Sequence, residues 1–230
     1  MRDKKITAAE AAAMVKDGMT VMVGGFLSNG TAENIMDALV ESGVKDLTII
    51  CNDGGVYTPA NEEKGTPDVY TGVAKLIHNK QVKKLIATHI GLNKEVAAQM
   101  NSGELEVELV PQGSMAEKIR AGGAGLGGVL TPTGVGTDVA EGKEVLTING
   151  KEYLLEMPLH ADVAILRANA ADEKGNLVFA GTTKNFNTVM ATAADTVIVG
   201  AKDIVEVGRL TPDHIMTPYI FVDYIVGGEK

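Results

Sequence analysis

Tryptophan is absent, cysteine occurs once, at Cys51, and aromatic residues make up only 4% of the 230-residue chain. A single cysteine excludes an internal disulfide and fits a reducing setting such as the cytoplasm. Scarce aromatics leave no platform on which nucleic-acid bases could stack. Basic charge is also short: 21 Lys and Arg face 30 Asp and Glu, giving a formal charge of −9 and a pI near 5.0. That balance argues against nucleic acid and against an anionic membrane surface, both of which need concentrated positive charge. No apolar run is long enough for a membrane helix, and the N-terminal Met1-Arg2-Asp3-Lys4-Lys5 leads into no apolar segment of signal length. The reading is a soluble, unexported protein whose partners are small molecules or other proteins. His-x-His, Cys-x-x-Cys and His-Glu-x-x-His spacings are missing and the four histidines are scattered, so no metal site is expected.

What is present is glycine, 27 residues of it, set between short runs of Val, Ile, Leu, Ala and Met. The β-branched and apolar run Thr20 to Val23 ends abruptly in Gly24-Gly25-Phe26-Leu27-Ser28-Asn29-Gly30, and from Thr31 the apolar spacing becomes helical, with Ile35, Leu39 and Val40 on one face. This is strand, loop, helix. Glycines 24 and 25 permit positive φ or close approach of a ligand to the main chain. With Thr31 as N-cap, the first-turn amides of the helix offer donors aimed at a carboxylate, phosphate or thioester oxygen. A tight turn without a ligand explains the same glycines equally well.

Leu47 to Ile50 is a second apolar strand ending in a polar turn, Cys51-Asn52-Asp53-Gly54-Gly55. Two strands therefore deliver ligand-competent loops to one sheet edge, where open α/β sheets bind ligands. Further along, helices at 69–79 and 94–102 alternate with strands at 84–89 and 106–110, which predicts right-handed βαβ units. The polar stretch from Tyr57 to Asp68 reads as a surface loop or flap. Pro111-Gln112-Gly113 closes the fourth strand, with Ser114 and Glu117 spaced as a capping box. Gly123, Gly125 and Gly128 have dinucleotide-motif spacing but follow a helix, which is the wrong context. Asn149-Gly150 marks a type I′ hairpin between 145–148 and 152–155. Strands at 161–167, 176–179 and 196–199, a helix at 187–194 and an edge strand within 219–226 complete the pattern. The expected fold is α/β: an open, mostly parallel sheet with helices on both faces and an added antiparallel hairpin, as a single domain over 1–230. Cys51 fits a buried structural thiol better than a nucleophile, and Glu104, Glu106 and Glu108 alternate as on a half-solvated strand. The edge thus offers amides and donors without an evident nucleophile.

Asp17-Gly18-Met19-Thr20-Val21-Met22-Val23-Gly24-Gly25-Phe26, with Gly30 four residues on, resembles the first signature of the A (alpha) subunit of family I 3-oxoacid CoA-transferases. The resemblance extends through Leu47 to Asn52, Ser102 to Leu109, Pro111-Gln112-Gly113, Arg120 to Gly125, Thr131 to Gly134 and Asn185-Phe186-Asn187, and so covers nearly the whole chain. It implies a CoA-transferase active only with a beta subunit, whose Ser-Glu-Asn-Gly loop carries the nucleophilic glutamate and has no counterpart here. A heterotetramer of two alpha and two beta chains is the implied assembly, and coenzyme A is a substrate, with no tightly bound cofactor. It further implies that Gly24, Gly25, Phe26, Leu27, Ser28, Asn29 and Gly30 contact CoA, and that Asn52 and Gln112 are supporting amides lining the reacting carboxyl groups. Ala32 stands where the family usually has proline, and Asn61 to Pro67 forms an insertion, features that bear on loop mobility and acceptor choice. Acetoacetate exchanging with butyryl-CoA or acetyl-CoA is the leading expectation. The competing class is a non-catalytic nucleotide-binding or regulatory α/β module.

Overall fold

The computed structural model describes residues 3–229. Along the chain run β1 (Lys5–Ile6), α1 (Ala8–Met14), β2 (Thr20–Val23), α2 (Glu33–Ser42), β3 (Leu47–Cys51), β4 (Val56–Thr58), β5 (Val69–Thr71), α3 (Ala74–His78), β6 (Val82–Ala87), α4 (Lys94–Ser102) and β7 (Glu106–Leu109). The rest comprises α5 (Gln112–Ala124), β8 (Val129–Thr131), β9 (Val145–Ile148), β10 (Lys151–Glu156), β11 (Ala161–Asp172), β12 (Leu177–Val178), α6 (Asn187–Met190), β13 (Ala194–Val205) and β14 (Tyr224–Val226). The main sheet has the order β1-β14-β13-β11-β2-β3-β6-β7, with β12 paired to β11, and every pairing except β11 with β12 is parallel.

From β2 the chain steps outward through β3, β6 and β7, then returns to β11 on the other side of β2 and moves outward the opposite way. Crossovers of one hand running in opposite directions place their helices on opposite faces. The core is divided accordingly. Val21, Val23, Ile49 and Leu85 face α1 to α4 with Ile35, Leu39 and Leu76, whereas Met22, Ile50 and Ile86 face α5 and α6 with Met115, Ile119 and Met190. This period-two alternation between two apolar faces is why the strands read as continuous apolar runs. The open α/β fold with helices on both faces is as expected, and Asn149 and Gly150 both have positive φ in the hairpin between β9 and β10.

Several local expectations are corrected. The Tyr57 to Asp68 loop is flanked by a two-stranded ribbon, because Val56 to Thr58 pairs antiparallel with Val69 to Thr71. Those β-prone residues, followed by Gly72 at φ +60, shorten the helix expected at 69–79 to α3. Stacking of Tyr57 on Tyr70 and of Tyr70 on His78 ties this flap to α3, while Glu95 on α4 accepts from the Tyr70 hydroxyl at 2.8 Å. β14 is not the edge; β1 covers it. Ser114 caps nothing: α5 begins at Gln112, Glu117 pairs with Arg120, and the buried Ser114 hydroxyl has no partner among the described residues. Gly122 and Gly123 lie inside α5, where a Cβ would come 2.0 Å from the Leu159 carbonyl oxygen and 2.1 Å from Thr192 Oγ1. β8 joins β10 and β9 in a separate three-stranded sheet that was not expected. The helix expected at 187–194 is the single turn α6. No helix among the described residues is long and apolar enough to cross a membrane.

Candidate functional site

The direction of chain progression across the sheet reverses between β2 and β11, the switch point where open α/β sheets bind ligands at the carboxyl ends of their strands. The loop after β2 lies there. Phe26 and Asn29 exchange both backbone hydrogen bonds at 3.0 and 2.9 Å, and the two residues between them, Leu27 at φ +50 and Ser28 at φ +62, are left-handed. This is a type I′ turn built without glycine at its centre, an arrangement that costs roughly 1 kcal/mol per residue and persists only where neighbours enforce it. Phe26 and Leu27 nevertheless stand about two-fifths exposed, at 42% and 41%.

The neighbours that enforce it are identifiable. Leu27 N donates to Asp53 Oδ2 at 2.7 Å, Thr71 Oγ1 donates to Ser28 Oγ at 2.9 Å, and Asn185 Nδ2 donates to the Asn29 carbonyl at 2.9 Å. Asn29 Nδ2 also reaches Thr182 Oγ1. Below the turn, Asn187 is fully buried, donating to the carbonyls of Gly30 and Thr183 and accepting from Arg167 N. A Cβ on Gly24 would fall 1.9 Å from Asn187 Oδ1, and one on Gly25, at φ +132, would fall 2.1 Å from Thr31 Oγ1. The glycines at 24 and 25 are therefore required by the packing of the chain's own side chains.

Two expected donors are otherwise employed. Thr31 does not cap α2; its hydroxyl donates to the Gly24 carbonyl at 2.9 Å, and the N-cap position is Ala32. The first amides of α2, Glu33 N and Asn34 N, donate to the Glu229 carboxylate at 3.2 and 3.1 Å. Burial pushes the Glu229 carboxyl up despite these bonds.

Asn52 and Gln112 come together. Gln112 Nε2 donates to Asn52 Oδ1 at 2.6 Å, Thr88 Oγ1 donates to the same oxygen at 3.2 Å, and Asn52 Nδ2 donates to Asp53 Oδ2 at 2.8 Å. The donors follow from chemistry: a carboxylate only accepts, so the Asn52 nitrogen must face Asp53, its oxygen must face Gln112, and Gln112 must offer its amino group. Asp53, 5% exposed, also accepts from Gly55 N at 3.0 Å. One buried carboxylate thus fixes the turn through Leu27 and the amide pair through Asn52. Asn52 is 3% exposed, whereas Gln112 is exposed at the sheet edge and its second N–H has no partner among the described residues. Sequence reasoning missed Asp53, Asn185 and Asn187 as site residues. The signal for Asp53 was its place before Gly54-Gly55, where aspartate accepts from amides further along the chain.

Cys51 donates its thiol to the Asp53 carbonyl at 2.8 Å; burial, and then the Asp53 charge, push it well above the ordinary thiol range. It is a structural thiol. Glu106 and Glu108 both pair with Lys84 on the neighbouring strand, as on a solvated edge. No group of three or more metal-ligating side chains occurs among the described residues. Beside Gln112 a groove of about 700 Å³ opens between α5 and the α6 region, walled by Phe26, Phe186, Val189 and Phe221.

A family model described as coenzyme A transferase matches residues 5–228. The chain is 50% identical over 230 residues, all of this chain and 99% of the relative, to the acetate CoA-transferase subunit alpha of Escherichia coli (strain K12). It is also 50% identical over 226 residues, 98% of each, to the acetoacetyl-CoA:acetate/butyrate CoA transferase alpha subunit of Clostridium acetobutylicum. Among solved structures, glutaconate coenzyme A-transferase from Acidaminococcus fermentans matches with a TM-score of 0.83 at 19% identity, covering 98% of this chain and 76% of that one. An acyl-CoA transferase from E. coli O157:H7, in a thioester complex with CoA, matches with a TM-score of 0.80 at 22% identity, covering 99% of this chain. The chain spans about half the length of that second structure, 47%. At these identities the structural likeness concerns the fold.

Proposed function

The chain belongs to the coenzyme A transferase family and is of its alpha-subunit type; from that premise we propose that it works with a beta subunit to move CoA between a short-chain acyl-CoA, acetyl-CoA or butyryl-CoA, and a carboxylate acceptor such as acetoacetate. The partner supplies the nucleophilic glutamate. Its carboxylate attacks the thioester carbonyl and expels CoA thiolate, leaving an acyl-glutamyl anhydride. The thiolate then attacks the glutamyl carbonyl, releasing the acyl carboxylate and leaving CoA as a glutamyl thioester. The acceptor carboxylate reverses these steps and departs as its own CoA thioester. Each addition places negative charge on a carbonyl oxygen.

The observation that carries this reading is the Gln112 amide, oriented through Asn52 by a buried carboxylate and left with one N–H unspent at the sheet's carboxyl edge. That is a preorganised donor for a developing oxyanion. In this assignment Gln112 touches the reacting carboxyl group, Asn52 orients Gln112, and the Gly24 to Gly30 turn presents Phe26 and Leu27 to CoA. CoA is a substrate here and no cofactor is tightly bound; the working form is a cytoplasmic heterotetramer of two alpha and two beta chains. The test is reconstitution with the product of the neighbouring reading frame. Neither chain alone should exchange CoA between butyryl-CoA and acetoacetate, and the mixture should do so with parallel, ping-pong double-reciprocal lines. Full turnover by this chain alone would overturn the assignment.

A further inference from the structure

The chain has four phenylalanines. Phe179 and Phe186 are both buried in the core, and Phe186, with the more exposed Phe26 and Phe221, also lines the groove beside Gln112. In a chain so poor in aromatics this concentration calls for a physical reason. Along α5 the groove is lined by Gln112, Ala116, Arg120 and Gly123, positions that recur on one helix face. Ala116 and Gly123 are small, so beside them the helix forms a floor and not a wall, while Arg120 between them carries its charge at the exposed rim. The opposite side is Val189 and Thr192. The two sides meet at Gly123, where a Cβ would lie 2.1 Å from Thr192 Oγ1, so the space is pinched at that point and open toward Gln112. The distance from Gln112 to Gly123 along the helix axis is about 16 Å.

Three of the polar groups on this lining are already engaged, and the Thr188 hydroxyl also lines it. Asn185 accepts from Gly25 N and donates to two carbonyls, Thr192 donates to the Val189 carbonyl, and Arg120 pairs with Glu117. The Gln112 amide stands at one end of a slot whose remaining lining is mostly apolar, through Phe26, Ala116, Phe186, Val189 and Phe221. A ligand fitting that arrangement has one polar carbonyl or carboxyl head and an unbranched apolar tail.

Resting on the function proposed above, we infer that this groove holds the hydrocarbon tail of the transferred acyl group, with its carbonyl at Gln112, and that Ala116 and Val189 set the chain length accepted. The slot runs well past the reach of an acetyl or butyryl group. Hexanoyl-CoA is therefore accepted as a substrate alongside acetyl-CoA and butyryl-CoA.

The test uses the assembled two-chain enzyme and acetyl-, butyryl- and hexanoyl-CoA. Ala116→Phe fills the slot and should lower kcat/KM for hexanoyl-CoA about 10-fold or more relative to acetyl-CoA, the discrimination typical of one or two methylenes in an apolar pocket. Val189→Ala should move the ratio the other way, and Ala116→Val, a milder filling, should give an intermediate loss. Thermal protection of the complex by acetate, butyrate and hexanoate should rise with length in the wild type and flatten in Ala116→Phe. Unchanged ratios and unchanged protection in all three variants would overturn the inference. Loss of subunit assembly in the Ala116 variants would also overturn it, assigning the groove to the partner chain. If the enzyme showed no CoA transfer with any substrate, the function proposed above would fall, whereas chain-length-dependent protection would still decide the groove.

Discussion

Asp53, itself 5% exposed, accepts hydrogen bonds from Leu27 N, Gly55 N and Asn52 Nδ2, the last two of them buried. Hydrogen bonds to a charged group contribute about 1.5–3 kcal/mol each, and stranded buried donors cost a similar amount. Asp53→Ala should therefore destabilise the chain by about 3 kcal/mol or more in urea unfolding, and a loss below 1 kcal/mol would show that water replaces the carboxylate. Gln112→Ala should lower kcat of the assembled enzyme by roughly 10²-fold, with assembly and KM for acyl-CoA little changed. Asn52→Ala should lower kcat less, because it disorients the donor without removing it. Unequal assembly of either variant, with kcat per assembled complex intact, would make the pair structural. At this scale the sequence was partly legible. Asn52 and Gln112 were visible at strand ends, but Asp53 was not, because its partner Leu27 is brought to it only when β2 and β3 lie side by side. The fully buried Asn187 was equally hidden, since nothing local announces that a side chain 163 residues later fills the space above Gly24.

The element that stores strain is the turn from Phe26 to Asn29. Replacing Leu27, at φ +50, by glycine should relieve about 1 kcal/mol and raise the Tm by about 2–4 °C. The same change should lower kcat/KM for acyl-CoA, because an exposed side chain offered to the substrate is lost. An unchanged or lower Tm would mean that the turn is not strained. Helix α2 gives a pH-dependent prediction. Its N-terminal amides bind the Glu229 carboxylate, whose pKa is raised by burial above the ordinary glutamate value. A raised folded-state pKa means that the folded state holds the proton more tightly, so this group's contribution to stability is largest below the ordinary range and falls as pH rises through the raised value. Glu229→Gln removes that titration. Its stability relative to the wild type should increase between pH 4 and pH 8 in urea melts, and a constant difference would contradict the assignment. Strands and helices such as α4, whose bounds match the expected 94–102, were legible in the sequence. Caps were not, since the residue that serves α2 lies 196 positions away and Ser114 has the right spacing without the geometry.

Across the whole molecule, the reversal of strand order at β2 accounts for both the division of the core and the location of the site. A parallel sheet buried on both faces couples its two cores through shared strands, and we expect one cooperative urea transition seen identically by circular dichroism and tyrosine fluorescence; two separated transitions would divide the chain into two folding units. Alternation of strand and helix made the α/β class legible. The third strand of the small antiparallel sheet was not, because Val129 to Thr131 is too short to carry a period. The central claim is that this chain orients and stabilises while its partner forms the covalent bond. The most direct measurement is mass spectrometry of both chains after the assembled enzyme has been incubated with butyryl-CoA and quenched. A CoA thioester adduct on the partner's glutamate, with this chain at its unmodified mass, is the expected result, and a CoA or acyl adduct on this chain would contradict it.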